Sequence, residues 1–392
     1  MLGKFSASTD RVPCLTTDID AHNSRRFIFL ALVAFAHGAS LSPLHRTISW
    51  HYFVRATNGL FSEQGLHLFA RHPELQFGPF AVVVAAAVRV VGGPNQRSLA
   101  ALALTALLIP VLVLVERSAV RFGADPRRTR RIVFVGGLLV IPGWNEIAVR
   151  TGHIDDALAL AAMLIACWAV AEERPMVAAV GLALAVDAKP WALAFLPLLL
   201  VFHGRERRNA ALACSALVFA AWAPFIIADP HTLHAARFTI PNDPASALRW
   251  LGVRNLRTPT WDRPAQFAIG GVLAARAVWR RQWPSVLLGA MAVRLLLDPA
   301  NHHYYSAGLL LGAVLFDAAV ARWPIPWTTI VTFALTVVPW LAPTVLTPRQ
   351  TGAALAIGTL LPIGLVLAFA ARRPPSRPTT SFELARPTNG DC

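Results

Sequence analysis

The sequence predicts an all-α fold, a polytopic transmembrane helical bundle of about 11–13 spans, and three observations carry that expectation. Hydrophobic residues make up 55% of the chain and charged residues only 15%, where a soluble domain carries about 25% charged. Mean hydropathy is +0.51, and apolar runs long enough to approach the 30 Å of a bilayer core recur from residue 27 to the C-terminal region. Basic residues gather in short clusters between those runs, as they do in cytoplasmic loops.

The formal net charge of +15 is read as orientation and contact with the anionic headgroups of membrane lipids. Nucleic acid is excluded as a partner, because no continuous basic face is present. Four cysteines form no framework: Cys14 and Cys392 sit in polar tails, while Cys167 and Cys214 sit in apolar runs as small hydrophobes. No zinc-type spacing exists, so no metal is expected.

In chain order, residues 1–26 read as a polar cytoplasmic tail without the cleavage site of a signal peptide. Arg25 and Arg26 then hold the N-terminus inside and make 27–44 a signal anchor leading outward. The segment 46–78 follows as an extracytoplasmic loop, polar and aromatic, with Arg46, His51, Arg55, Glu63, His67, Arg71, His72 and Glu74 among Trp50, Tyr52 and Phe53. Later candidate spans are 80–91, 99–115, 132–149, 157–171, 176–188, 191–202, 210–228, 265–278, 286–297, 305–320, 327–346 and 353–371, within a membrane domain of 27–371. Several are short, so some must be tilted, half-length or re-entrant. Residues 372–392 are basic, proline-rich and polar, the composition of a disordered cytoplasmic tail.

Orientation does not close. The clusters at 203–208, 276–281 and 372–373 fall inside together, with 152–156, 229–263 and 298–305 outside. The cluster at 127–131 should also be inside, yet two passes between 79 and 116 would put it outside. One segment of the first half is therefore miscounted.

Polar residues at membrane depth carry the candidate chemistry, since a charge at the centre of a span costs about 2.5–3.5 kcal/mol. His153, Asp155 and Asp156 head a span in TGHIDDALAL; they either cap that helix or form a site. In DAKPW, Pro190 breaks a helix, and Asp187 with Lys189 either neutralise each other or present the lysine to a phosphate. In DPANHHYYS, His302, His303, Tyr304 and Tyr305 crowd one turn, as an aromatic belt or as donors to a phosphate-bearing ligand.

Three of these stretches, in order, carry a resemblance: the aromatic first loop ending in HPELQFGP, the span GHIDDALALAAMLIA, and the glycine-rich run GLALAVDAKPWALAFLPLLL. Together, over roughly 27–320, they resemble the C-type glycosyltransferase superfamily. Within it they are similar to glycosyltransferase family 87, the polyprenyl-phosphate-mannose-dependent mannosyltransferases of actinobacteria. The resemblance implies an enzyme of the plasma membrane that moves a sugar, mannose in that family, to a lipid or polysaccharide acceptor on the extracytoplasmic face. The donor is a polyprenyl-phosphate sugar acting as co-substrate, without other cofactor.

The family has an aspartate early in the first loop as catalytic base, and Ser49 stands at the matching place. Serine cannot accept a proton at neutral pH. Glu74 is the first substitute, followed by Asp155, Asp156 and His51. Lys189 matches the family's Lys-Pro and His302 or His303 its late histidine, and these with Arg46 and Arg55 are the candidate donor-phosphate ligands. The alternative is a non-catalytic lipid-linked-sugar carrier, flippase or accessory protein. A transporter should show paired broken helices, and the sequence has one break, at Lys189-Pro190.

Overall fold

A computed structural model describes residues 16–41, 47–341 and 344–369. The fold is all-α: among the described residues there is no strand, only an isolated bridge between Pro241 and Arg257. Five helical stretches are long and apolar enough to cross a membrane, which makes this a membrane protein, and four shorter apolar helices accompany them.

Helix α1 (Thr16–Leu41) begins upstream of the first apolar run, inside the segment expected as a tail. The first loop is largely helical, with α2 (Trp50–Leu60) and the single turn α3 (Leu68–Arg71). Then come α4 (Pro79–Gly92), α5 (Gln96–Arg121), α6 (Pro126–Asn145), α7 (Ile154–Ala171) and α8 (Pro175–Ala188). A twelve-residue 3₁₀ helix, Pro190–Val201, separates α8 from α9 (Gly204–Ala228). The short α10 (Ala247–Trp250) lies in a long connection before α11 (Asp262–Trp279), α12 (Val286–Leu297) and α13 (Ser306–Ala319). Helices α14 (Trp327–Thr336), α15 (Val338–Leu341) and α16 (Pro348–Ala368) close the chain.

Hydrogen bonds sort the helix ends into two faces. At one, Arg26 of α1 pairs with Glu116 and donates to the Arg130 carbonyl, and Arg121 meets Glu172. Arg128 donates to the Asp317, Ala318, Ala321 and Trp323 carbonyls, and Gln282 to that of Phe369. At the other face, the Thr47, Ile48 and Ser49 N–H groups donate to Val149, Arg150 and Thr151 at 3.0, 3.1 and 2.9 Å. Gly78 donates to Ala188 at 2.9 Å and Asp243 to Pro299 at 2.8 Å.

Helix α4 starts and ends on the second face. Gly78 ties its start to Ala188, Arg89 in its last turn donates to the Val54 carbonyl and Thr57 hydroxyl of α2, and the Trp50 indole donates to Gln96 just beyond it. Gly93, at φ +48°, turns the chain into α5, a conformation that suits glycine. The apolar run expected as a span at 80–91 is therefore the miscounted segment. The other twelve apolar segments alternate between the faces, and the clusters at 127–131, 203–208 and 276–281 share one of them.

The 3₁₀ stretch shows how a short run crosses. Pro190 and Pro197 each remove a donor, and a 3₁₀ helix rises about 2.0 Å per residue against 1.5 Å for an α-helix. Twelve residues thus reach about 24 Å instead of about 18 Å. Elsewhere backbones approach through glycine: a Cβ on Gly181 would meet the Ala162 carbonyl oxygen at 2.9 Å, and one on Gly312 the Leu288 nitrogen at 2.6 Å.

In a variant with Cys14 and Cys392 replaced by serine, cysteines at Ser62 and Asn95 should both react with a membrane-impermeant maleimide from one side. A cysteine at Arg280 should react from the other. Labelling of position 95 together with 280 would show that α4 crosses.

Candidate functional site

The backbone around α7 is shaped before any side chain acts. Helix α6 ends in a π-helical turn, Glu146–Thr151. Gly152 follows at φ +69°, with Thr47 packed where a Cβ would lie. His153 then precedes α7 and puts Asp155 and Asp156 in its first turn. Neither aspartate caps that turn. Both point into the bundle, 0% and 2% exposed.

What they meet comes from two other breaks. Lys189 is the extended residue between α8 and the Pro190 turn. Its ammonium donates to Asp155 Oδ2 and lies 3.5 Å from Asp156 Oδ2. Of the two readings of DAKPW, mutual neutralisation of Asp187 and Lys189 does not occur: the ammonium goes to Asp155 and Asp156, and Asp187 Oδ1 is left without a hydrogen-bond partner among the described residues. Asp156 Oδ1 accepts from the Trp191 indole at 3.1 Å and lies 3.5 Å from the Arg294 guanidinium. Arg294, on α12, stands over the rings of Trp191 and Tyr305 at 4.4 and 4.3 Å, within the range of cation–π attraction. His153 Nδ1 lies 3.3 Å from Asp155 and 3.7 Å from Asp156, and its ring stacks on Tyr304 at 4.2 Å.

The cluster is buried, paired and cation-rich on one side. Lys189 and Arg294 are each 8% exposed. Among the described residues Asp156 Oδ2 accepts no hydrogen bond; its neighbours are the Lys189 ammonium at 3.5 Å and His153 Nδ1 at 3.7 Å, which leaves it the least engaged oxygen of the two carboxylates. The ligand atoms of His153, Asp155 and Asp156 lie within 4.8 Å of one another, as a metal ion would need. The cation placed against both carboxylates is the Lys189 ammonium, which competes for that space.

Of the residues singled out from the sequence, Asp155, Asp156 and Lys189 are brought together. His302 lies one ring away, 5.4 Å from Tyr304. His303 turns aside and stacks on Trp340 at 4.6 Å, where burial and the nearby Arg150 push it down to about 4. It is neutral at pH 7 and can donate only as a neutral imidazole. Burial pushes Asp298, in the same turn, up to about 6.

The first-loop candidates form a separate network. Glu74 is engaged by Arg55 at 3.1 Å and His72 at 3.2 Å. His51 donates from Nδ1 to the Ile48 carbonyl at 2.7 Å and is exposed. No hydrogen bond or ion pair of these residues reaches the cluster. Arg46 lies outside the described residues. The loop instead roofs the cluster through its backbone: Ser49 is tied to Thr151, and Gly78 packs where a Cβ would meet the Asp187 carbonyl oxygen at 2.1 Å.

Arg294 and Trp191 are absent from the residues chosen from the sequence, whereas Tyr305 is named there in the His302–Tyr305 turn. A signal for Arg294 existed, a lone arginine in the apolar run VLLGAMAVRLLL, since an intramembrane charge marks a partner or a site. No protein-family model and no curated protein matches this chain.

The His303 shift sets a pH dependence. Its folded value lies below the ordinary 6.5, so the unfolded state binds more protons between the two and stability falls as pH drops from about 6.5 to 4. Asp298, raised instead, acts in the opposite sense over about 4 to 6. Thermal unfolding curves of wild type and His303→Gln in detergent should therefore run parallel above pH 6.5, and wild type should lose stability relative to the variant between about 6.5 and 4. Parallel curves across that window would leave His303 without the assigned burial.

Proposed function

We propose that this protein is a membrane glycosyltransferase that moves a sugar from a polyprenyl-phosphate donor to a lipid or polysaccharide hydroxyl. The observation that carries the reading is the buried set of Lys189 and Arg294 facing Asp155 and Asp156 at span ends beneath a docked loop. Two cations suit a leaving phosphate, and two acids supply both a counter-charge and a base. The basic clusters of the opposite face orient that face to the cytoplasm, which turns the site outward from the cell membrane. Helices α2 and α4, lying on the site's face, offer an interfacial platform for a lipid donor.

In this reading Lys189 and Arg294 hold the donor phosphate and stabilise the charge that grows on it as the sugar–oxygen bond breaks. Asp156 Oδ2 takes the proton of the acceptor hydroxyl while that oxygen bonds to the anomeric carbon. Attack from the face opposite the phosphate inverts the centre, by analogy with glycoside chemistry. Polyprenyl phosphate leaves as the second product. Asp155 keeps Lys189 in place, and His153 sits between the two acids to orient them. Asp156 thus supplies from α7 the acid that Ser49 does not provide, while Glu74 keeps its place in the loop network with Arg55 and His72.

Purified protein incubated with labelled polyprenyl-phosphate mannose and a membrane acceptor fraction should release polyprenyl phosphate. Asp156→Asn should lower that rate about 10²–10⁴-fold, the usual worth of a general base, while Glu74→Gln stays close to wild type. Donor binding without turnover in the wild type would favour a carrier, and loss of turnover in Glu74→Gln alone would return the base to the loop.

A further inference from the structure

A second feature lies away from the charge cluster. The 3₁₀ helix, α9 and the middle of α11 part to leave an open groove of about 800 Å³. Its walls are apolar, with Leu193, Leu196 and Leu200 along the 3₁₀ helix and Ala211 and Cys214 on α9. Gly271 of α11 forms its back, with nothing within 4 Å of where a Cβ would stand. At the mouth, in the first turns of α9, are Arg207 and Arg208. Both are exposed, and neither makes an ion pair or side-chain hydrogen bond among the described residues. The mouth lies on the face that carries Arg128 and Arg280, across the bundle from Lys189.

We infer that this groove is a binding site for an anionic phospholipid, one acyl chain between the 3₁₀ helix and α9 and the headgroup phosphate on Arg207 and Arg208. The volume falls in the range of sites that enclose a small ligand. An apolar slot ending in two unpaired guanidiniums matches the two halves of such a lipid, and basic pockets between spans on the cytoplasmic side bind anionic headgroups. Arginine suits the task because its planar fork meets phosphate oxygens in pairs. The 3₁₀ geometry makes the slot possible: eclipsed side chains at every third residue leave a flatter wall than an α-helix would.

The test is native mass spectrometry of the full-length protein in neutral detergent, titrated with phosphatidylglycerol or phosphatidylcholine. The wild type should retain phosphatidylglycerol in preference. Arg207→Gln/Arg208→Gln should weaken that retention about thirtyfold, from the worth of two arginines at an anionic headgroup. Gly271→Leu, which fills open space and should leave thermal stability unchanged, should abolish it for both lipids. Arg280→Gln, on the same face but outside the groove, should change nothing. Equal losses in Arg280→Gln and the Arg207/Arg208 variant would mean only general surface attraction and would overturn the site. Retention undiminished in Gly271→Leu would overturn it as well, as would a dimer that Gly271→Leu converts to monomer, since a second copy would then fill the groove.

Discussion

Burying the Lys189 ammonium against Asp155 and Asp156, with Arg294 on the far side of Asp156, takes four charges out of water. Desolvation of such groups costs several kcal/mol per ion, and close pairing returns it only where geometry is good. The geometry here draws on three separate irregularities: the π turn before α7, the proline break after α8, and a single arginine in α12. Two further residues hold the arrangement. Trp191 donates to Asp156, and Trp191 and Tyr305 cover the Arg294 guanidinium with their rings. Such a network is weak evidence for stability, because well-packed apolar residues often serve as well. Its placement at span ends, beneath a loop and with one carboxylate oxygen that accepts no hydrogen bond, is what points to a ligand.

The loop above depends on the same irregularities. Its first residues bond to the carbonyls of the π turn and its last to Ala188, so the roof is fastened on both sides of the cluster by backbone alone. Side chains of the loop then pair among themselves, Glu74 with Arg55 and His72, while Gln76 at its far end accepts from Arg263 of α11. Gly78 and Gly152 are required at the fastenings, the first by close approach to Asp187 and the second by both Thr47 and its positive φ.

Much of the fold was legible in the sequence, since apolar runs and basic clusters report helix position directly. Run 80–91 was the exception, because hydropathy cannot tell a crossing helix from one lying on a face. What reveals the difference is a set of contacts, Arg89 to Thr57 and Trp50 to Gln96, between residues far apart in sequence. For the site, Asp155, Asp156 and Lys189 stood out because charge at membrane depth is expensive. Their pairing did not, because Asp187 sits two residues from Lys189 whereas Asp155 sits 34 away. Asp187 still lies in α8 whereas Lys189 is extended, so the two side chains leave the chain in different directions and proximity in sequence misleads there. Arg294 was overlooked for the same reason in reverse, a single charge in a run dominated by leucine and valine.

In the proposed function the charged network is kept for an anionic ligand and not for folding. The most direct test of this replaces the pair outright, Asp155→Leu with Lys189→Met, and measures thermal stability in detergent beside binding of polyprenyl phosphate. The double variant should unfold at or above the wild-type temperature, as apolar replacements of buried ion pairs commonly do, and should lose the lipid phosphate. A variant that fails to fold yet is rescued by restoring both charges, or one that folds and binds as well as wild type, would contradict it.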